Sequence, residues 1–131
     1  MIHVCAAVIK INGNFLITSR PPGKHLAGQW EFPGGKVDMN ESTHDCLVRE
    51  LYEELGVDII PREKIYSIKY EYPEKKVFLE FFKAVPVDIM NFNPVSYEGQ
   101  GIRWEESENL CKIDWVPADL PLAEYLCKLH G

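Results

Sequence analysis

An α+β fold, one mixed sheet with helices packed on it, is the architecture this sequence predicts. Three observations carry that prediction: apolar runs broken by tight-turn signals, one amphipathic segment between the strands, and a second at the end of the chain. The chain has 131 residues, 46% of them hydrophobic. That supports one core and not two, so residues 1–131 are expected to form a single domain.

Residues 3–11 are a nearly continuous apolar run, and Asn12-Gly13 separates them from Phe15-Leu16-Ile17. Asn-Gly between two such runs is the strongest local signal for a tight hairpin, because both central turn positions need positive φ. The chain therefore opens on paired strands. Residues 21–35 are rich in Pro and Gly and read as loop, interrupted by Trp30 and Phe32. Ser42 is placed to cap a helix, and Asp45 three residues on resembles the second half of a capping box. Leu47, Val48, Leu51 and Leu55 then recur at helical spacing as a core-facing stripe, and Gly56 supplies the stop. Tyr66, Ile68, Tyr70 and Tyr72 alternate with polar residues, and 76–85 is aromatic and branched, so the two read as antiparallel strands joined at Pro73-Glu74. A long connection over 86–100 leads to a short strand around Ile102–Trp104 and a helical turn near Ser107–Leu110. The end of the chain predicts a helix with Leu122, Tyr125, Leu126 and Leu129 inward and Pro121 confined to its first turn.

Lys plus Arg total 14 against 20 Asp plus Glu, a formal net charge of −6, which argues against gripping long nucleic acid through the overall field. No apolar run reaches the ~18 residues that a membrane helix needs, and the start lacks a basic region ahead of an apolar segment. A cytoplasmic protein without membrane association is expected, as a monomer or small homodimer. Cys5, Cys46, Cys111 and Cys127 are far apart among apolar neighbours and form no C-x-x-C pair, so they are expected to be small buried thiols. His3, His44 and His130 have no metal-ligand spacing.

Glu50, Glu53 and Glu54 concentrate the chemistry. On a helix they share one side, where like charges repel by about 0.2–0.5 kcal/mol per pair, a cost that argues for a cation. Glu50 and Glu53 point away from the apolar stripe and Glu54 lies at its edge, so Glu54 should be the most buried and must be paired or metal-bound to stay charged. Arg49, one turn before Glu53, is placed to steady it. Mg2+ suits two or three carboxylates plus substrate phosphate oxygens, with Mn2+ as a possible substitute. The pair Gly34-Gly35 permits backbone angles closed to other residues, so this loop can turn a carbonyl toward the ion and amides toward phosphate.

Gly35, five residues, Glu41, seven residues, Arg49-Glu50-Leu51, one residue, Glu53-Glu54, one residue, Gly56 and then Val57 resemble the Nudix box at every defined position. The resemblance extends through Gln29-Trp-Glu-Phe-Pro-Gly-Gly-Lys36 to nearly the whole chain and is greatest to the MutT-like group, the 8-oxo-dGTP diphosphatases and bacterial CTP pyrophosphohydrolases. It implies the Nudix fold, an α/β/α sandwich around a mixed central sheet. It also implies a Mg-dependent hydrolase that cuts a nucleoside triphosphate into monophosphate and pyrophosphate. The metal set it implies is the Gly34 carbonyl, Glu50, Glu53, Glu54, and Glu98 of the Glu-Gly-Gln segment. The base that accepts the water proton is Glu50 or Glu98. Arg49 is implied as a salt-bridge orienter and Glu41 as a residue that orders the loop. Arg20 and His25 match residues that approach phosphate, and Glu31 lies in the matched substrate-binding run.

Phe32 and Tyr72 match positions lining a base pocket, with Lys75 where the MutT group has arginine; packing in the core is the competing reading for both rings. Asp119 stands where that group has asparagine. An ionised Asp only accepts hydrogen bonds, so it would need a proton, or a rearranged base, to pair with a guanine O6 acceptor. The expected activity is 8-oxo-dGTP diphosphatase. The alternatives are a CTP or 5-methyl-dCTP pyrophosphohydrolase and a Nudix module that binds nucleotide without cleaving it.

Overall fold

Strand β1 (Ile2–Val8) is buried on both faces, and the rest of the molecule is arranged around it. In the computed structural model, which describes residues 1–130, Ala6 and Val8 face one apolar cluster while Cys5 and Ala7 face another. Gly131 and the side chain of His130 lie outside the described residues. The continuous apolar run at the start of the sequence is the signature of this double burial.

Further strands follow in chain order: β2 (Lys10–Ile11), β3 (Asn14–Ser19), β4 (Trp30–Glu31) and β5 (Gly34–Lys36). Helix α1 (Thr43–Leu55) precedes the long hairpin of β6 (Ile59–Tyr72) and β7 (Lys75–Pro86), and β8 (Ile102–Glu106) precedes helix α2 (Leu120–His130). One sheet has the order β5-β1-β7-β6, with β1 and β7 parallel and the other pairs antiparallel. The second sheet is antiparallel, with β3 paired to β2, β4 and β8. Helix α1 packs on one side against Cys5, Ala7, Phe82 and Ala84, and α2 on the other against Ala6, Phe81 and Trp115. This is the expected α/β/α sandwich on a mixed sheet.

The expected 3–11 strand is in fact two. The chain leaves the first sheet at the fully buried Ile9, whose carbonyl accepts from Leu16 N–H, and enters the second as β2. The Asn-Gly turn then forms as expected, with φ of 52° at Asn12 and 82° at Gly13. Val48 is exposed and Cys46 takes its place in the α1 stripe. On α2, Tyr125 and Leu129 are exposed, and the inward face is Leu122, Ala123, Leu126 and Cys127. Both sets satisfy a 3.6-residue period, and the smaller side chains face inward, where they let the helix approach the sheet.

The cysteines divide. Cys5 and Cys46 are free and buried as expected, but Cys111 and Cys127 form a disulfide, with Cys111 exposed. The 3-10 turn Ser107–Lys112 packs on α2 and brings the two positions together, a proximity that no local spacing announces. No helix among the described residues is long and apolar enough to cross a membrane. Cross-linking a loop of this size stabilises by about 3 kcal/mol. Reducing the oxidised protein should therefore lower its stability to urea by about 2–3 kcal/mol, with no such change in Cys111→Ser.

Candidate active site

Helix α1 presents the acidic residues, and its two ends are firmly fixed. Ser42 Oγ accepts from Asp45 N–H at 3.0 Å, and Gly56, at φ 67°, donates its N–H to Tyr52 O at 2.9 Å. Arg49 then fastens the helix to the strand below. Its Nε donates to Glu41 Oε2 at 2.7 Å, one terminal nitrogen to Glu41 Oε1 at 2.9 Å and Lys36 O at 3.1 Å, and the other to Glu50 at 2.8 Å and Glu53 at 3.3 Å. Arg49, helped by the Asp38 N–H, holds the Glu41 carboxyl down at about 2. Glu41 thus orders the loop, while the guanidinium aligns the first two acids of the triplet.

The triplet is asymmetric. Glu53 is 58% exposed at the side chain, whereas Glu50 is 14% exposed and does not point to solvent as the helical wheel alone suggested. Glu50 lies against Gly35, where a Cβ would fall inside its carboxylate. A Cβ on Gly34 would collide with the Cys5 carbonyl oxygen. Neither glycine has positive φ, so both are needed for close approach and not for unusual backbone angles. Burial pushes the Glu54 carboxyl up to about 9, with Glu50, Glu98 and Glu31 adding repulsion. Burial also raises Glu50, against the pull of Arg49. Among the described residues no basic side chain pairs with Glu54.

The groove in front of these acids is a chain of three cavities. The largest, about 330 Å³, is lined by Gly34, Gly35, Glu50, Glu54 and Asp119. A second, about 140 Å³, has Arg20, Lys24, Glu54 and Glu98. The third, about 100 Å³, has His25, Tyr72, Lys75 and Asp119. Arg20 and Glu31 line all three and lie 3.6 Å apart as an ion pair. Burial raises the Glu31 carboxyl, with Arg20 opposing.

At the far end of the groove, Asp119 is 3% exposed and accepts Phe32 N–H at 2.8 Å through one oxygen. Burial and then the nearby Glu31 push its carboxyl well above the usual range. The segment carrying it is laced to β4, where Trp30 N–H donates to Asp114 O and Val116 N–H to Trp30 O, both at 2.9 Å. Tyr72 OH accepts Ala118 N–H at 3.2 Å. The Phe32 ring is buried and stacked on Trp115, so this residue serves the groove through its backbone. His25 stands with its ring edge on Tyr72 and its Nε2 3.2 Å from Glu74, at the Tyr72 end and outside the cavity that holds Lys24 and Glu98. Lys24 and Gln100 were not read from the sequence as site residues. Lys24 follows Pro-Pro-Gly in a loop and carries no spacing signal, while Gln100 could have been found as the last residue of the Glu-Gly-Gln segment.

The donor set fits a divalent cation. Glu50, Glu54 and Glu98 line adjoining cavities, and no cation among the described residues neutralises Glu54. Among the described residues no three acidic, His or Cys side chains are close enough to hold an ion by themselves. Mg2+ keeps several waters and takes only one or two carboxylates beside phosphate oxygens, so this sparse set suits an ion shared with a triphosphate.

A family model described as the NUDIX domain matches residues 1–127. The chain is 37% identical to the CTP pyrophosphohydrolase of Escherichia coli (strain K12), over 100% of this chain and 95% of that protein. It is 33% identical to the 8-oxo-dGTP diphosphatase of the same strain, over 90% and 89%. Among solved structures, the E. coli ORF135 protein superposes with a TM-score of 0.82 at 35% identity, covering 100% of this chain and 91% of that one. A MutT protein from Methanosarcina mazei Go1 superposes with a TM-score of 0.84 at 27% identity, covering 99% and 95%.

The Glu54 shift sets a pH dependence. The folded state holds a proton that the unfolded chain releases near 4.5, so between about 4.5 and about 9 rising pH destabilises the metal-free protein. Urea melts without divalent cation should show stability declining across that window, and Glu54→Gln should make the decline shallower, the rest coming from the raised Glu50, Glu31 and Asp119 carboxyls, and be the more stable protein at pH 8. An unchanged slope in Glu54→Gln would show that the buried proton lies elsewhere.

Proposed function

The chain belongs to the Nudix family, and on that footing we propose that it is a Mg-dependent nucleoside triphosphate pyrophosphohydrolase that removes 8-oxo-dGTP from the nucleotide pool. The observation that carries the choice of substrate is Asp119. Burial raises this carboxyl well above its usual range, and a carboxyl that holds its proton both donates and accepts, as an asparagine amide does. A protonated Asp119 would meet a guanine O6 as an asparagine amide does, which supports this reading. Oδ2 accepts Phe32 N–H at 2.8 Å, and a carboxylate oxygen has a second lone pair for a ligand.

Glu50 and Glu54 would hold Mg2+, and Gly34 and Glu98, which line the same groove, would complete the set, whereas Glu53 lines none of its three cavities. When bound, the ion would neutralise phosphate charge and make water a stronger acid. The chain's own groups do the rest. Arg20 turns its donor fork to a phosphoryl oxygen, with Glu31 holding the guanidinium in place. Lys24 adds a second positive charge in the same cavity. Glu98, exposed at the cavity and without an ion-pair partner among the described residues, takes the proton of the attacking water. Glu50 is the weaker candidate, because Arg49 already engages its carboxylate. Water attacks the β-phosphorus, the bond to the bridging oxygen breaks, and nucleoside monophosphate leaves from pyrophosphate.

A second reading, cytosine nucleotides as substrate, is favoured by the full-length likeness to a CTP pyrophosphohydrolase. A neutral Asp119 could donate to cytosine N3 and accept from its amino group with the same two oxygens.

Steady-state assays with Mg2+ across 8-oxo-dGTP, dGTP, CTP and 5-methyl-dCTP, resolving pyrophosphate from phosphate, decide between them. The proposal expects pyrophosphate release with 8-oxo-dGTP preferred; preference for the cytosine pair promotes the second reading, and no turnover of any triphosphate refutes both. Asp119→Asn should keep the preferred kcat/KM for 8-oxo-dGTP, while Asp119→Ala should lose about 1–3 kcal/mol of it, the worth of a two-point base contact.

A further inference from the structure

Gln100 is the one buried residue in the connection from Val87 to Gly101. Its 8% exposure contrasts with the exposed Ser96, Tyr97, Glu98 and Gly99 just before it. Burial of a primary amide in an otherwise solvated loop is costly unless its polar atoms are satisfied. Here they are. Gln100 Nε2 donates to Glu54 O at 3.2 Å, and Oε1 accepts from Glu98 N–H at 3.0 Å and from Ser96 Oγ at 2.8 Å. The carbonyl on one side and the N–H on the other fix which end of the amide is oxygen.

The partners join two parts of the site. Glu54 O is one of the last carbonyls of α1, left without an intrahelical donor. It also accepts Tyr97 N–H at 3.2 Å, and the next carbonyl, Leu55 O, accepts Val95 N–H at 3.0 Å. The loop is therefore laid across the end of the acidic helix. Beyond Gln100 the chain is fixed again, because Gly101 N–H donates to Ser19 Oγ at 2.8 Å and Ser19 N–H to Gly101 O at 3.0 Å. Between these anchors, Gly99 at φ 82° turns the backbone and leaves Glu98 at the tip, facing the cavity that Glu54 also lines.

We propose that Gln100 is a positioning residue: its amide ties the backbone of Glu98 to the end of the metal-presenting helix, so that the Glu98 and Glu54 carboxylates keep a fixed relation. This rests on the reading above that Glu98 acts in the reaction. An exposed side chain on a loop otherwise wanders by more than an ångström, enough to weaken a proton transfer that needs hydrogen-bond reach.

Gln100→Ala removes all three contacts. Gln100→Glu keeps the acceptor for Glu98 N–H but loses the donor to Glu54 O, and it serves should the alanine variant fold poorly. Amide hydrogen exchange in the metal-free protein is the first readout. Exchange at Tyr97 and Glu98 should be at least about tenfold faster in Gln100→Ala, with the core strands unchanged. The second readout is kinetic: kcat should fall by about 10- to 100-fold with KM nearly constant, and Gln100→Ala should cost nothing further when added to Glu98→Gln. Unchanged exchange at Tyr97 and Glu98, or losses that add in the double variant, would overturn the assignment. If the wild type hydrolyses no triphosphate, the functional reading falls, while the exchange measurement still decides whether Gln100 holds the loop.

Discussion

A carboxyl group sunk between a helix and a glycine strand, with no cationic side chain among the described residues to meet it, is the constraint from which the rest of this structure follows. Glu54 is held where burial and three neighbouring carboxyls push its affinity for a proton up by several orders of magnitude. A fold tolerates such a group when the group is neutral or when a cation arrives with a ligand. The same residue lines the cavities on both sides of it, so the cost falls where a polyphosphate with its counter-ion can relieve it. Asp119 repeats the pattern at the other end of the groove, where burial holds a second carboxyl well above its usual range.

Supporting groups hold that arrangement in place. Arg49 does not reach Glu54; it binds Glu41, Glu50 and Glu53 and the Lys36 carbonyl, and so fixes the helix rotation that points Glu54 inward. Gly34 and Gly35 lack the side chains that would drive β5 away from β1 and from Glu50. The long loop to β8 satisfies the carbonyls at the end of α1 and carries Glu98 back over the groove. Helix, strand and loop thus converge on one groove, and the hydrogen bonds that fix them leave Glu54 and Glu98 without a basic partner among the described residues.

Much of this was legible in the sequence because it is written in local spacing. The Asn12-Gly13 turn, the Ser42 cap, the Gly56 stop and the β6–β7 hairpin depend on residues adjacent in the chain, and all form where their chemistry places them. What was not legible depends on contacts between distant segments. Periodicity could not choose between Val48 and Cys46, or between Tyr125 and Ala123, because neighbouring helical stripes share one period. The glycine pair was recognisable as special, yet the reason lies in Cys5 and Glu50 across the β5 interface. The Cys111–Cys127 disulfide depends on how a 3-10 turn lies on α2, and the upward shift of the Asp119 carboxyl on what covers it. A polar residue such as Gln100 discloses its role only once its three partners are in place.

The central proposal is that a cation entering the groove displaces a proton from Glu54, whose carboxyl burial raises to about 9. Mg2+ binding to the protein measured by calorimetry at pH 7 in buffers of different ionisation enthalpy reports the protons exchanged. The account predicts release of about one proton per ion bound, lost in Glu54→Gln. Binding with no proton release in the wild-type protein would contradict it.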